Sequence, residues 1–205
     1  MDLSLEMRRR EAVEATVAEA GAALKALQRP DGHWVFEFEA DATIPAEYIF
    51  LHHFLGSVEA PHFRALEPKL ARYLRRIQGT HGGWPLFPEG DFNISASVKA
   101  YWALKLCGDS PDAPHMVRAR EAILAHGGAQ TANVFTRTAL ALFGLVPWRA
   151  VPVMPIEITV LPKWSPFTLA KVSYWSRTVI APLLILMHLK PRAANPTGVR
   201  VDELF

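Results

Sequence analysis

The chain has 205 residues, half of them hydrophobic, and sets 22 Lys and Arg against 20 Asp and Glu for a formal net charge of +2. That is enough chain for a sizeable core in one or two domains, and the even charge balance, with no basic stripe interleaved with aromatics, argues against a nucleic-acid partner. One cysteine, Cys107, excludes an internal disulfide and a cysteine-rich zinc site, and the longest apolar run, Val179 to Met187, is shorter than the roughly 20 residues that cross a bilayer. Met1-Asp2-Leu3-Ser4 lacks the basic-then-apolar order of a signal peptide, so a cytoplasmic protein is expected.

The first helix is predicted over residues 5–28, where Val13, Val17, Ala20, Leu24 and Leu27 recur at steps of four and three and should face a core. Pro30 and Gly32 stop it. A second helix starts near Thr43–Pro45, runs through Tyr48 to Leu55 and stops at Gly56; it is apolar almost all round, which predicts burial. The third carries a stripe of Phe63, Leu66, Leu70, Tyr73 and Ile77, with Pro68 as a candidate start. Asn93 is a candidate N-cap for an apolar helix from Ile94 to Cys107 closed by Gly108. A worn third unit follows: an outer helix from Ala113 or Pro114 to His126, the turn Gly127-Gly128, and an inner helix from Val134 to Phe143. Residues 145–167 hold too many prolines for a long helix, and a last helix is expected over 168–189, bent at Pro182. From Lys190 the chain turns polar.

A repeat underlies this order. Gln28-Arg-Pro-Asp-Gly-His-Trp34 and Gln78-Gly-Thr-His-Gly-Gly-Trp84 lie 50 positions apart, and the register continues from Asp41, Ile44 and Ala46 to Asp91, Ile94 and Ala96. The repeating units cover about 5–56, 61–108 and 113–144, each an amphipathic helix, a glycine turn and an apolar helix. Apolar helices inside and amphipathic ones outside make an all-α fold, an α/α toroid of the α6–α6 type. A closed ring of this kind takes six pairs, on the order of 300 residues. About four are present, so an incomplete barrel is expected: one domain over 1–205 that needs further chain or a partner to finish its core.

The Gln, Gly and Trp of each turn have structural jobs. Gln28 and Gln78 can bond free carbonyls at a helix end and the next backbone segment. Trp34 and Trp84 cover the turn, and Gly32 and Gly82 let the backbone approach.

These two phrases, with Tyr73-Leu74 ahead of the second, resemble the QW repeats of the squalene–hopene and oxidosqualene cyclases, the class II triterpene cyclases. The likeness runs in order through Ala46-Glu47-Tyr48, Val134-Phe-Thr-Arg137, Pro147-Trp148, Val151-Pro152, Pro155-Ile-Glu157 and Ser173-Tyr-Trp-Ser-Arg177. It covers essentially the whole chain and is strongest to the amino-terminal part of the squalene–hopene cyclases. The resemblance implies one of two α/α barrels around a hydrophobic cavity, in which squalene is protonated at a terminal alkene and closes into hopene or hopanol as a cation cascade. It implies no cofactor and no metal. It also implies association with the cytoplasmic face of the bacterial membrane without spanning it, a carboxyl-terminal cyclase barrel as partner, and a homodimer in the full-length form.

The family's proton donor sits in a DxDD motif that this sequence lacks; Asp109-Ser-Pro-Asp112 is the nearest string. An alkene is a very weak base, so the chain alone is expected to be inactive. Trp175 and Phe135 match aromatics of the substrate cavity, while helical spacing alone reads both as core residues. Glu47 matches a glutamate that helps hold the water ending the cascade; by position alone it is a carboxylate favoured by a helix N-terminus. The family's second glutamate falls at Lys99, its arginine at Asn133 and a tryptophan at Ala139, and Lys99 is a candidate partner for Glu47. Trp164, Phe167, Tyr174 and the run from Val179 are expected in a core, since Lys171 and Arg177 interrupt the apolar face. Two other readings stay open: a class II cyclase for another polyprene, and a non-catalytic toroid that binds a prenyl or lipid chain or a protein.

Overall fold

The computed structural model describes residues 3–36, 39–152, 154–166 and 168–205; Phe167, expected in the core, lies outside them. Among the described residues there are seven α-helices, short 3₁₀ turns and no strand, which is the make-up of an α/α toroid domain. The chain divides into two compact units, residues 1–39 and 40–205.

The first unit is α1 (Leu3–Ala26) and the turn after it. The helix stops two residues before the predicted end because the Leu27 and Gln28 amides bond the Leu24 and Lys25 carbonyls, at 3.1 Å each, tightening the last turn. Val13, Val17, Leu24 and Leu27 are exposed, against the expected core-facing stripe. The spacing is amphipathic, but a lone helix with a turn offers no second layer to bury it.

The second unit is built around α4 (Ile94–Leu106), in which every residue but Ile94 and Lys105 is buried. Asn93 caps it, its Oδ1 accepting from the Ala96 amide at 3.0 Å. Packed against α4 are α2 (Thr43–Leu55), α3 (Pro61–Arg76), α5 (Pro114–Ala125) and α6 (Val134–Leu142). The core includes Ile49, Phe63, Leu74, Trp84, Tyr101, Trp102, Met116, Ile123 and Leu140. Phe50, Trp102 and Phe143 form its aromatic centre, with Trp102 and Phe143 edge-to-face at 4.7 Å. Hence α4 is the buried inner helix of this unit.

Three local expectations change. First, α2 buries one side only: Ile49, Phe50, His52 and His53 face the core, while Ile44, Tyr48, Leu51 and Leu55 are exposed. Second, α3 begins at Pro61, where a missing N–H costs nothing, and runs through Pro68, held by Phe63, Ala71 and Leu74 in the core. Third, the last helix, α7 (Tyr174–Leu189), starts six residues later than predicted. Ser173 caps it by accepting from the Ser176 amide, and Thr168 caps only a 3₁₀ turn at Leu169–Lys171. Pro182 lies within α7, and Leu183, Leu184 and Met187 are its buried residues.

Beyond Lys190 the chain folds back as a strap. The Ala193 amide donates to Leu142 (2.9 Å), Ala194 to Phe54 (2.9 Å) and Asn195 to His53 (3.0 Å), and Val201 and Leu204 are completely buried. The Glu203 carboxylate accepts from Tyr101 Oη at 2.9 Å and from Lys105. These few apolar residues among polar ones give no periodic signal in the sequence, though they complete the core.

Candidate functional site

The two Gln-Trp turns are the same structure built twice. In each, the Gln Nε2 donates to the carbonyl four residues on, Gln28 to Gly32 and Gln78 to Gly82, both at 2.6 Å. In each, the Trp Nε1 donates to the carbonyl ten residues back, Trp34 to Leu24 at 2.7 Å and Trp84 to Leu74 at 2.8 Å. The backbone pairs match too: Arg29 N to His33 O at 2.9 Å, Gly79 N to Gly83 O at 2.8 Å. The division of labour differs from expectation. The indole, not the Gln, bonds a carbonyl in the last turn of the helix, and the Gln closes the glycine turn. Gln78 also donates to the His115 carbonyl of α5 at 2.9 Å and accepts from Arg118 at 3.2 Å, tying one helix pair to the next. Gly82 is required at its place: φ is +88°, and a Cβ would stand 2.8 Å from the Arg118 carbonyl oxygen.

Glu47 lies just past the first turn of α2, so the helix N-terminus is not its partner. Its Oε1 accepts from Lys99 Nζ of α4, the pairing that the substitution pattern suggested. The Lys99 side chain is 5% exposed and that of Glu47 50%. A buried ammonium is thus neutralised by a carboxylate whose other oxygen, among the described residues, has no partner. Asn133, by contrast, is the N-cap of α6, its Oδ1 accepting from the Thr136 amide at 3.0 Å.

The aromatic candidates are not core residues here. Trp175 is 81% exposed, and Phe135 is exposed on α6. Trp164, Tyr174 and Val179 are exposed as well, against the expectation of burial. Lys171 and Arg177 keep this segment wet, and the described part of the chain supplies no layer over it. The exposed stripe Ile44, Tyr48, Leu51 and Leu55 on α2 was missed. Its steps of four, three and four were legible, but the apolar residues on the opposite side hid them.

The nearest acidic string is occupied otherwise. Asp109 receives two hydrogen bonds from Arg75, that to Nε at 2.8 Å, and one from His115 Nε2 at 2.7 Å. Burial pushes the Asp109 carboxyl up, but the bonds from Arg75 and His115 outweigh it and hold it below the usual carboxylate range. Asp109 therefore keeps no proton to give an alkene. His52 and His53 point apart, His52 Nδ1 to Ser57 Oγ at 2.9 Å and His53 Nε2 to Glu67 Oε1 at 3.1 Å. Among the described residues no three His, Cys, Asp or Glu are grouped so as to hold a metal ion. Nor is any helix of the described residues long and apolar enough to cross a membrane.

Helix pairs joined by Gln-Trp turns, with a buried inner helix and no strand among the described residues, define a protein of the α/α-toroid class. The sequence model of the squalene-hopene cyclase N-terminal domain matches residues 17–205, and the chain belongs to that family. It is 60% identical over 195 residues to the squalene–hopene cyclase of Bradyrhizobium diazoefficiens, covering 95% of this chain and 29% of the relative. To the squalene–hopene cyclase of Zymomonas mobilis it is 60% identical over 94% of this chain and 29% of the relative. To that of Alicyclobacillus acidocaldarius it is 35% identical over 89% of this chain and 28% of the relative. The chain thus spans less than a third of the length of the relatives it matches.

Proposed function

We propose that the chain forms the amino-terminal part of an enzyme that cyclises squalene, supplying cavity wall and a water-holding carboxylate but not the acid. The observation that carries this reading is the exposed stripe Ile44, Tyr48, Leu51 and Leu55, with Glu47 on the same helix held by Lys99. An apolar helix face that its own unit leaves uncovered suits a hydrocarbon or a second barrel.

In this reading the proton comes from the carboxyl-terminal barrel, because no group in this sequence has the DxDD setting. The terminal alkene takes the proton, and each new carbocation is trapped by the next double bond. Trp175 and Phe135 offer ring faces to the passing cation, an attraction that strengthens once water is excluded. Glu47 acts at the end: its unpartnered oxygen accepts a hydrogen bond from a water, which removes a proton to give the alkene or adds to give the alcohol. Lys99 positions Glu47 and balances its charge. The product is thus hopene or hopanol, made by a peripheral protein at the cytoplasmic face of the membrane, in which the full-length form is a homodimer.

The test mixes this chain with the carboxyl-terminal part of the Zymomonas mobilis relative and assays squalene turnover. The mixture is expected to cyclise squalene and each part alone to do nothing. In a full-length protein carrying this sequence, Glu47→Gln is expected to change the alkene-to-alcohol ratio and Trp175→Ala to release incompletely cyclised products. Turnover by this chain alone, or an unchanged product set in both variants, would overturn the reading.

A further inference from the structure

Two cavities adjoin where the carboxyl ends of α6 and α7 meet, and Trp148 and Lys190 line both. The first, about 530 Å³, is lined by three cations, Lys190, Arg192 and Arg200, and by no acidic residue. Arg200 is compensated by a two-bond pair with Asp202, at 2.7 and 2.8 Å. Lys190 and Arg192 are not: among the described residues neither side chain has a hydrogen bond or an ion pair. The second cavity, about 440 Å³, is lined by apolar residues such as Val151, Met154, Ile156 and Met187, with Arg149, Glu157 and His188 also on its wall. Val151 and Met187 of this wall belong to a small separate core with Ala141.

A cationic pocket that shares Trp148 and Lys190 with a mostly apolar one suits a ligand with an anionic head and a hydrocarbon tail. Two uncompensated positive charges match a phosphate monoester, which carries about −1.5 to −2 near neutrality, better than a carboxylate. Arg192 offers a planar fork and Lys190 a point charge, a common pair around phosphate. We propose that these cavities bind one phosphorylated single-chain amphiphile, the phosphate between Lys190 and Arg192 and the chain passing Trp148 into the apolar cavity.

The probe is dodecyl phosphate kept monomeric, titrated calorimetrically into the purified chain. Saturable one-to-one binding is expected, with inorganic phosphate at least about tenfold weaker because it fills only the head pocket. The double variant Lys190→Asn with Arg192→Gln should bind at least about tenfold more weakly than the parent; Asn keeps the left-handed φ of +48° at position 190. Met154→Gln should weaken dodecyl phosphate and leave inorganic phosphate unchanged. An unchanged thermal midpoint in each variant shows that the fold survives, and a variant that unfolds is replaced by Arg192→Gln alone. Any of these results overturns the proposal: no saturable binding, equal affinity of the variant, equal affinity for an uncharged dodecyl maltoside, or binding only to vesicles containing phosphatidic acid.

Discussion

The indole N–H of Trp84 donates to the carbonyl of Leu74 at 2.8 Å, inside the core, and Trp34 repeats the bond to Leu24 in a turn open to water. Trp84 is 0% exposed and Trp34 41%, so the same deletion should cost differently at the two sites. Trp84→Phe leaves a buried carbonyl unpaired and should destabilise by about 1–3 kcal/mol, while Trp34→Phe, whose carbonyl water can reach, should cost under about 1 kcal/mol. Urea unfolding of the two variants measures the difference, and equal losses would contradict it.

The Glu47–Lys99 pair should respond unequally to loss of either partner. Glu47→Ala strands a buried ammonium and should cost about 3–5 kcal/mol. Lys99→Met leaves a carboxylate that is half exposed and can be hydrated, and should cost under about 1 kcal/mol. Denaturant midpoints at neutral pH give the ratio, and a Lys99→Met variant as unstable as Glu47→Ala would show that the pair is not asymmetric.

Stability should fall in acid through two carboxylates. Burial raises both, but Arg75 and His115 hold Asp109, and chiefly Lys105 holds Glu203, below their usual values of 3.8 and 4.5. A depressed folded value means that the unfolded chain takes up the proton first. The contribution is therefore complete above about pH 4.5 and is lost as pH drops through the folded values. Asp109→Asn and Glu203→Gln should each flatten the decline in urea midpoint between pH 5 and pH 2, an interval chosen to bracket about both usual values.

Cys107 should be unreactive in the folded chain. Burial pushes its thiol up first, and the charges of Glu67 and Asp109 add to this against Arg75. The thiolate is the nucleophile, so iodoacetamide at pH 8 should label the folded protein at least about a hundredfold more slowly than the urea-unfolded one. Comparable rates would place the sulfur in a more open setting.

The repeat made the turns legible before any coordinates. A 50-residue register carried Gln78, Gly82 and Trp84 back onto Gln28, Gly32 and Trp34, and the hydrogen bonds obey it. The caps at Asn93, Gly56 and Gly108 were legible for the same reason, being local chemistry. Burial was not, because it depends on what stands opposite. Within its own unit the stripe of α1 has the right spacing and no second layer, and α2 is apolar on two faces but buries one. In the candidate site, Lys99 could be set against Glu47 because the resemblance placed a glutamate at its position and its charge is opposite, whereas the exposure of Trp175 and Phe135 depends on what packs over them, which no local pattern encodes.

The strap from Ala193 to Leu204 lays a constraint on the order of synthesis. Leu142, Phe54 and His53 each wait for a donor that leaves the ribosome 51 to 142 positions later, and Val201 and Leu204 emerge later still. Contacts so distant in sequence form late. Until they do, the nascent chain carries a wetted interior that a chaperone could hold. A stop introduced before Ala193 should thus leave the helices formed but the protein protease-sensitive, even though every residue of α2 through α7 has been made.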